Sequence, residues 1–305
     1  MAETKSLVND IAHILVLLVL LLVLLVIVTK FKVIHPSVIP GWQGVFCEYV
    51  EQKHSVVGIV YGSDGLGNPE ELEVILSRLR PTMRVEMVKL EDVSPALLSR
   101  YEVIVIERSR TVPFRFVNTL SGYLDGGGSL IWTGDAMSNQ VLGSRDITEA
   151  NQQDQLRYAA WLKLPENKGK DYTAWLTEKY EGKEYTAWIQ DNNAEQGAFG
   201  EFGSNYLGAY LKTERSNSAT SLVPVLTDHL ILSGIPKFQL PLTNFGVVNQ
   251  NDDYNIIANI EHNGEIVPGI LEKKYVGRIL YFAFPLEVID SPTFLDNIFD
   301  YLVTC

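Results

Sequence analysis

Residues 55–71 read SVVGIVYGSDGLGNPEE. The run at 55–61 is apolar without interruption, as expected of a strand buried on both faces inside a parallel sheet. A glycine-studded turn follows at 62–67. Asn68-Pro69-Glu70-Glu71 then announces a helix, with Asn68 as N-cap, Pro69 in the first turn and Glu71 completing a capping box. Strand, tight loop and helix in one short stretch open a βαβ unit.

Working outward, RVEMVKL (84–90) alternates like a strand and YEVIVIE (101–107) is another. Thr111-Val-Pro113 is expected to open a helix running to Asp125, which three glycines at 126–128 would end. SLIWT (129–133) supplies the next strand. Strands and helices in this order with short links predict an α/β fold: a flavodoxin-like, mainly parallel sheet with helices on both faces. Towards the end of the chain, 255–262 and 265–271 flank Asn263-Gly264, a two-residue hairpin signal, and predict a β-hairpin added to the sheet. RILYFAF (278–284) is a further buried strand. Ser291-Pro292 caps a last helix carrying Phe294, Leu295, Ile298, Phe299 and Leu302 on one face.

Residues from about 145 to 215 break the pattern. They are polar and aromatic, with helix expected around 153–164, and YTAW occurs at both 172–175 and 185–188. Two copies do not make a solenoid. The stretch reads as an insertion folded over one edge of the sheet. Such a segment serves either as a lid with its own small core or as a surface for sugars or partners, and the lid is the expectation.

At the other end, IAHILVLLVLLLVLLVIV (11–28) has His13 as its one polar interruption. Such a helix is ~27 Å long at the α-helical rise, close to the ~30 Å hydrocarbon core of a bilayer. The run ends in Thr29-Lys30-Phe31-Lys32 rather than in small residues, which favours an uncleaved signal anchor over a cleaved signal peptide. The chain thus divides into a tail (1–10), a single-pass transmembrane helix (11–28), a connector (29–54) with Trp42 as an interfacial anchor, and an α/β domain (55–304). Lys30 and Lys32 beyond the helix favour a cytoplasmic domain by the positive-inside count. A disulfide between Cys47 and Cys305, just before and just after the domain, would favour an oxidising compartment, and two unrelated thiols are the alternative. Short N-terminal tails ahead of one anchor also commonly stay inside, and the expectation is an extracytoplasmic domain.

With 37 acidic against 25 basic residues the net charge is −12. No basic face exists to displace counterions from a phosphate backbone, so nucleic acid is not an expected partner. The two cysteines have no metal-ligand spacing, and neither a zinc site nor a cofactor is expected.

Four stretches, VVGIVYGSDG, SGYLDGGGSLIWTG, DHLILSGIP and VPGILEKKYVGRILYFAFPLE, resemble in order and spacing the class I glutamine amidotransferase-like superfamily, in particular its trehalose-utilisation (ThuA-like) branch. The resemblance covers most of 55–304 outside the insertion and implies a flavodoxin-like sheet with an added hairpin. Catalytic members carry a cysteine on the sharp turn after the strand equivalent to 129–133, completed by a His and a Glu near the chain end. Here that turn reads Thr133-Gly134-Asp135-Ala136-Met137-Ser138 and holds no cysteine, and no HxE motif occurs in the chain. Glutamine amidotransfer is therefore not expected.

Ligands of parallel α/β sheets bind beyond the carboxyl ends of the strands. Those ends offer Asp64, Glu107, Arg108, Asp135 and Ser138 as ligand-binding candidates. Paired carboxylates there would suit acid–base chemistry or a divalent cation, although short polar residues also cap turns. Ser138 would need a histidine base, for which His229 is the one candidate. The loop at 62–67 lacks the P-loop lysine, and Asp64, Glu70 and Glu71 would repel phosphate. The expected function is a membrane-anchored, non-catalytic domain, a pseudoenzyme binding a partner protein or a glycan-like ligand. A hydrolase using carboxylates or a metal, and a structural subunit of a membrane complex, are the alternatives.

Overall fold

The computed structural model describes the chain apart from residues 1, 31–33, 35–38, 40, 47–49, 51–54, 82, 196–198, 200–201, 204–205, 207, 216–219, 236–237, 242–243, 251–253 and 304–305. The chain divides into two units, residues 1–55 with 303–305, and residues 56–302.

In the first unit, helix α1 spans Ala2–Lys30, taking in the residues expected to form a tail. Its window His13–Lys30 has a mean hydropathy of 2.9 and is long and apolar enough to cross a membrane. A helical turn α2 (Trp42–Val45) follows, and the Trp42 indole donates to Thr29 Oγ1 at 3.0 Å. The connector tryptophan thus fastens back onto the end of α1. Cys47 and Cys305 lie outside the described residues, and so does the disulfide expected between them.

In the second unit β1 (Val56–Asp64), α3 (Pro69–Leu79), β2 (Arg84–Lys89), α4 (Pro95–Leu98), β3 (Val103–Ser109), β4 (Thr111–Pro113), α5 (Phe114–Asp125), β5 (Ser129–Thr133) and β6 (Asn139–Val141) come first. The insertion supplies α6 (Ser144–Trp161), α7 (Tyr172–Tyr180) and α8 (Tyr185–Glu195). Then come β7 (Gly208–Arg215), β8 (Thr220–Pro224), β9 (Phe238–Leu240), β10 (Asn244–Gln250), β11 (Asn255–His262), β12 (Glu265–Lys274), β13 (Arg278–Phe282) and α9 (Pro292–Leu302).

The main sheet runs β2-β1-β3-β5-β13-β12-β11-β8-β9. Its first five strands are parallel. The other four continue it antiparallel, so the expected hairpin is the inner half of a larger antiparallel wing. β1 leads to β2 on one side, and the chain then crosses back to β3 on the other. Right-handed crossovers therefore put α3 on one face and α4 with α5 on the opposite face. Arg80 at the end of α3 binds Asp296 at 2.8 Å and also Asp300, which sets α9 beside α3. Phe294, Leu295, Ile298, Phe299 and Leu302 of α9 are all buried, each worth about 1.5–3 kcal/mol.

Several local expectations are refined. Thr111–Pro113 does not begin the helix: it is a short strand paired in parallel with Asn139–Val141, and α5 starts at Phe114 with Pro113 as its N-cap. Asn68 caps α3 through Glu71 N–H, but its own N–H goes to Glu287 Oε1 at 2.7 Å instead of back to Glu71. The hairpin turn has Asn263 at φ 51° and Gly264 at φ 81°, the geometry an Asn-Gly pair favours.

The insertion has a core of its own. Trp161, Trp175, Leu176, Tyr180 and Tyr185 are buried together, with Tyr158, Tyr172 and Trp188 packed against them. Asp154 sits at its centre without exposure and accepts from Trp175 Nε1 at 3.0 Å and from the Tyr172 hydroxyl. The doubled YTAW serves as packing for a small helical subdomain.

Candidate functional site

The candidate residues at the strand ends separate into two groups. At the end of β1 the Asp64 carboxylate accepts from Thr111 twice, from N–H at 3.1 Å and from the hydroxyl at 2.8 Å. Asp135, 1% exposed, accepts Leu66 N–H at 2.7 Å and Arg110 Nε at 2.6 Å. That bond to Asp135 raises the Arg110 guanidinium above its ordinary value, with the charges of Asp135 and Asp64 adding to it and desolvation opposing. Asp64, Arg110, Thr111 and Asp135 are thus one network lashing three loops together. Replacing Asp135 by Asn keeps the shape and discards the charge-assisted bond. The domain should lose about 1.5–3 kcal/mol in urea unfolding, with Arg110→Met close to it.

Glu107 is not part of this network. It is fully buried near the end of β3 and accepts Leu286 N–H at 3.3 Å. Burial first, then the neighbouring Glu287, push its carboxyl well above the usual range. Arg108 sits at φ 48° with its guanidinium forked onto Glu70 at 2.9 Å and 5.6 Å from the Tyr61 ring centre. Ser138 donates its N–H to Asp135 O at 3.1 Å. His229 does not serve Ser138. Its Nδ1 accepts Ile231 N–H, its Nε2 faces Glu272 at 3.6 Å, and its ring stands edge-on to Tyr301. Glu272 feels burial raising it, yet the hydrogen bonds from His229 and Tyr301 outweigh this and hold it below its ordinary value.

The turn after β5 is sealed. Residues 133–137 are all buried. The left-handed position directly after the strand belongs to Gly134 at φ 55°, whose carbonyl accepts the Tyr281 hydroxyl at 2.8 Å. Gly246 of β10 roofs it so closely that a Cβ there would stand 2.7 Å from Gly134 O. Phe199 and Phe202 cover Trp132 at 4.4 and 5.3 Å between ring centres.

An open cleft of about 880 Å³ lies elsewhere, at the carboxyl ends of β1 and β2. The strand order reverses between β1 and β3, the customary binding place of an open α/β sheet, and Thr111, Pro113 and Arg115, which follow β3, bring the cleft up to that point. Tyr61, Ser63, Lys89, Glu91, Thr111 and Arg115 line it. Asp146 also lines it and accepts Gly143 N–H at 2.8 Å and Arg115 N–H at 3.2 Å, holding the starts of α5 and α6 together. Arg115 donates to Glu91 O at 3.2 Å. None of Asp64, Glu107, Arg108, Asp135 and Ser138 is among its lining residues; Asp64 reaches it through Thr111. Lys89 and Arg115 escaped the sequence reading, although Lys89 closes a strand and Arg115 opens a helix. Among the described residues no group of three or more His, Cys, Asp or Glu could hold a metal ion.

No protein-family model matches the sequence, and no curated relative matches it. Solved structures do share its fold. A ThuA-like protein of Bacteroides uniformis superposes with a TM-score of 0.51 at 12% identity, over 82% of this chain and 93% of that one. A beta-galactosidase of Bacillus circulans sp. alkalophilus gives 0.51 at 14% identity, over 81% and 30%. The cold-adapted enzyme of Rahnella sp. R3 gives 0.53 at 11%, over 83% and 32%. The chain spans about a third of those galactosidases and nearly all of the ThuA-like protein. The likeness is one of fold, and the ThuA-like neighbour agrees with the branch that the four sequence stretches resemble.

Proposed function

We propose that this protein is a membrane-tethered, non-catalytic α/β domain that binds a hydroxyl-rich, glycan-like ligand in the cleft at the ends of β1 and β2. The observation that carries the reading is the cleft itself. It joins an aromatic ring (Tyr61), hydroxyls (Ser63, Thr111) and the cations of Lys89 and Arg115, groups that grip a polyol face and its oxygens. The sealed turn after β5 supports the absence of catalysis. So does the commitment of Asp64 and Asp135 to Thr111, Leu66 and Arg110, which leaves neither poised as an acid or base. A partner protein is the second reading, favoured by the exposed apolar side chains of Val225, Leu226 and Leu230 after β8.

The test is a panel of neutral and acidic oligosaccharides offered to the full-length protein in lipid nanodiscs. Retention of a sugar without turnover is expected. Release of a hydrolysed product, lost in Asp135→Ala with folding intact, would establish the hydrolase alternative instead.

In this reading α1 is an uncleaved anchor and the domain lies outside the cytoplasm, with Cys47 and Cys305 bridged. An impermeant maleimide on intact cells should label the cysteines only after reduction. Labelling that needs opened cells and no reductant would place the domain in the cytoplasm.

A further inference from the structure

Glu107 and Glu287 are far apart in sequence and adjacent in space. Each uses one oxygen in the same way: Glu107 Oε1 accepts Leu286 N–H at 3.3 Å, and Glu287 Oε1 accepts Asn68 N–H at 2.7 Å. The other oxygen of each, Oε2, is buried and receives no donor from the described residues. Glu107 Oε1 meets the N–H of the residue directly before Glu287, which brings the two carboxyls together. Two carboxylates confined in this way cannot both ionise cheaply, whereas one proton between them turns repulsion into a hydrogen bond.

The surroundings relieve the pair only in part: Arg108 and the N–H groups of Leu286 and Asn68 favour the charged forms, but burial outweighs them. Arg108 is next in the chain, but its guanidinium is forked onto Glu70. Glu71 faces Glu287 from α3 and adds to the repulsion. Gly67 presses so closely that a Cβ there would lie 2.2 Å from Glu107 Cγ, so Glu107 cannot retreat into the loop. Burial raises both carboxyls, Glu107 the more strongly.

The pair also sits at a junction. Through Asn68 it holds the start of α3, through Leu286 the turn after β13, and Glu107 itself stands near the end of β3. Glu287 lines a second cleft of about 620 Å³ between α3 and the segment entering α9. Ile75, Leu79 and Leu295 form its apolar wall, and Arg78 and Asp290 are its other charged residues besides Glu71.

We propose that Glu107 and Glu287 form a proton-operated latch, which keeps residues 286–290 on the start of α3 while one proton is shared and frees Glu287 towards Arg78 when that proton leaves, opening the 620 Å³ cleft. No covalent bond changes: one proton passes to solvent and one Asn68–Glu287 hydrogen bond is broken. The latch does not depend on the ligand assigned to the first cleft.

Full-length protein in nanodiscs is titrated upward from pH 6 by infrared spectroscopy and by hydrogen exchange corrected for intrinsic pH dependence. A protonated-carboxyl stretch should be present at neutral pH and absent from Glu107→Gln and Glu287→Gln alike. As it titrates away in the native protein, exchange at 66–71 and 286–290 should rise at least tenfold over the rest of the sheet. In Glu107→Gln those segments should stay protected across the range. A neutral-pH spectrum without the band overturns the shared proton. Loss of the band with unchanged exchange at both segments overturns the latch.

Discussion

Gly67→Ala should destabilise the α/β domain by about 3 kcal/mol or more. Two independent costs meet at this position. Gly67 has φ +111°, a conformation that an L side chain adopts only with strain of about 1–3 kcal/mol. Its Cβ would also stand 2.2 Å from Glu107 Cγ and 2.7 Å from Cδ, and overpacking of this kind typically costs about 1–3 kcal/mol. Glu107 is fully buried and has no room to withdraw. Urea unfolding of full-length protein in detergent, followed by near-ultraviolet circular dichroism, measures the loss. Gly182→Ala is the matched control: its φ is +81° but nothing lies within 4 Å of the added carbon, so it should bear the strain alone.

Glu107→Gln should have the opposite sign. In the native protein the Glu107 carboxyl titrates well above its ordinary 4.5, and Glu287 is raised too. Between the ordinary value and the native one, the folded state binds more protons than the unfolded state. Stability therefore falls as pH rises through that window, the reverse of a salt-bridged carboxylate. An amide at 107 donates to Glu287 as the shared proton does and cannot ionise. The variant should gain about 1–3 kcal/mol over the native protein at pH 8, with the difference shrinking towards pH 5. Thermal unfolding at a series of pH values gives that difference directly. Other carboxylates, such as the depressed Glu272, contribute equally to both proteins and cancel. A Glu107→Gln protein that is less stable at pH 8, or whose difference from the native protein does not change with pH, would refute the shared proton.

Much of the parallel half of the sheet was legible because its strands are continuous apolar runs and its helices announce themselves with local caps. Asn68, Pro69, Gly127 and Ser291 act within a few residues of their position, and such short-range chemistry is written in the chain. The antiparallel wing was legible only where Asn263-Gly264 marks a turn. β8 and β9 carry no comparable signal, and β4 exists through pairing with residues about 28 positions away. Pro113 misled for a physical reason: proline suits the first turn of a helix, and here it serves one position earlier, as the cap.

The candidate cleft lies at strand carboxyl ends, as the sequence suggested for a binding place, but it is lined by other residues than those the sequence offered. Reading polar residues off the strand ends found Asp64 and Asp135, but their availability depends on Arg110 and Thr111, which sequence order does not pair with them. Glu107 has the same difficulty, since its neighbour Glu287 is 180 positions away. The cleft instead draws on Lys89 and Arg115, residues that look like ordinary solvated charges until the crossover from β2 to β3 brings them to one crevice.

The central claim is that recognition belongs to this cleft and that the turn after β5 is structural. Equilibrium titration of the full-length protein in nanodiscs, with the oligosaccharide retained in the panel, tests it most directly. Lys89→Ala and Arg115→Ala should each weaken binding about tenfold, the equivalent of one charged hydrogen bond, while folded Asp135→Asn binds as the native protein does. Unchanged binding in the two cleft variants with loss in Asp135→Asn, or no oligosaccharide retained at all, would contradict the account.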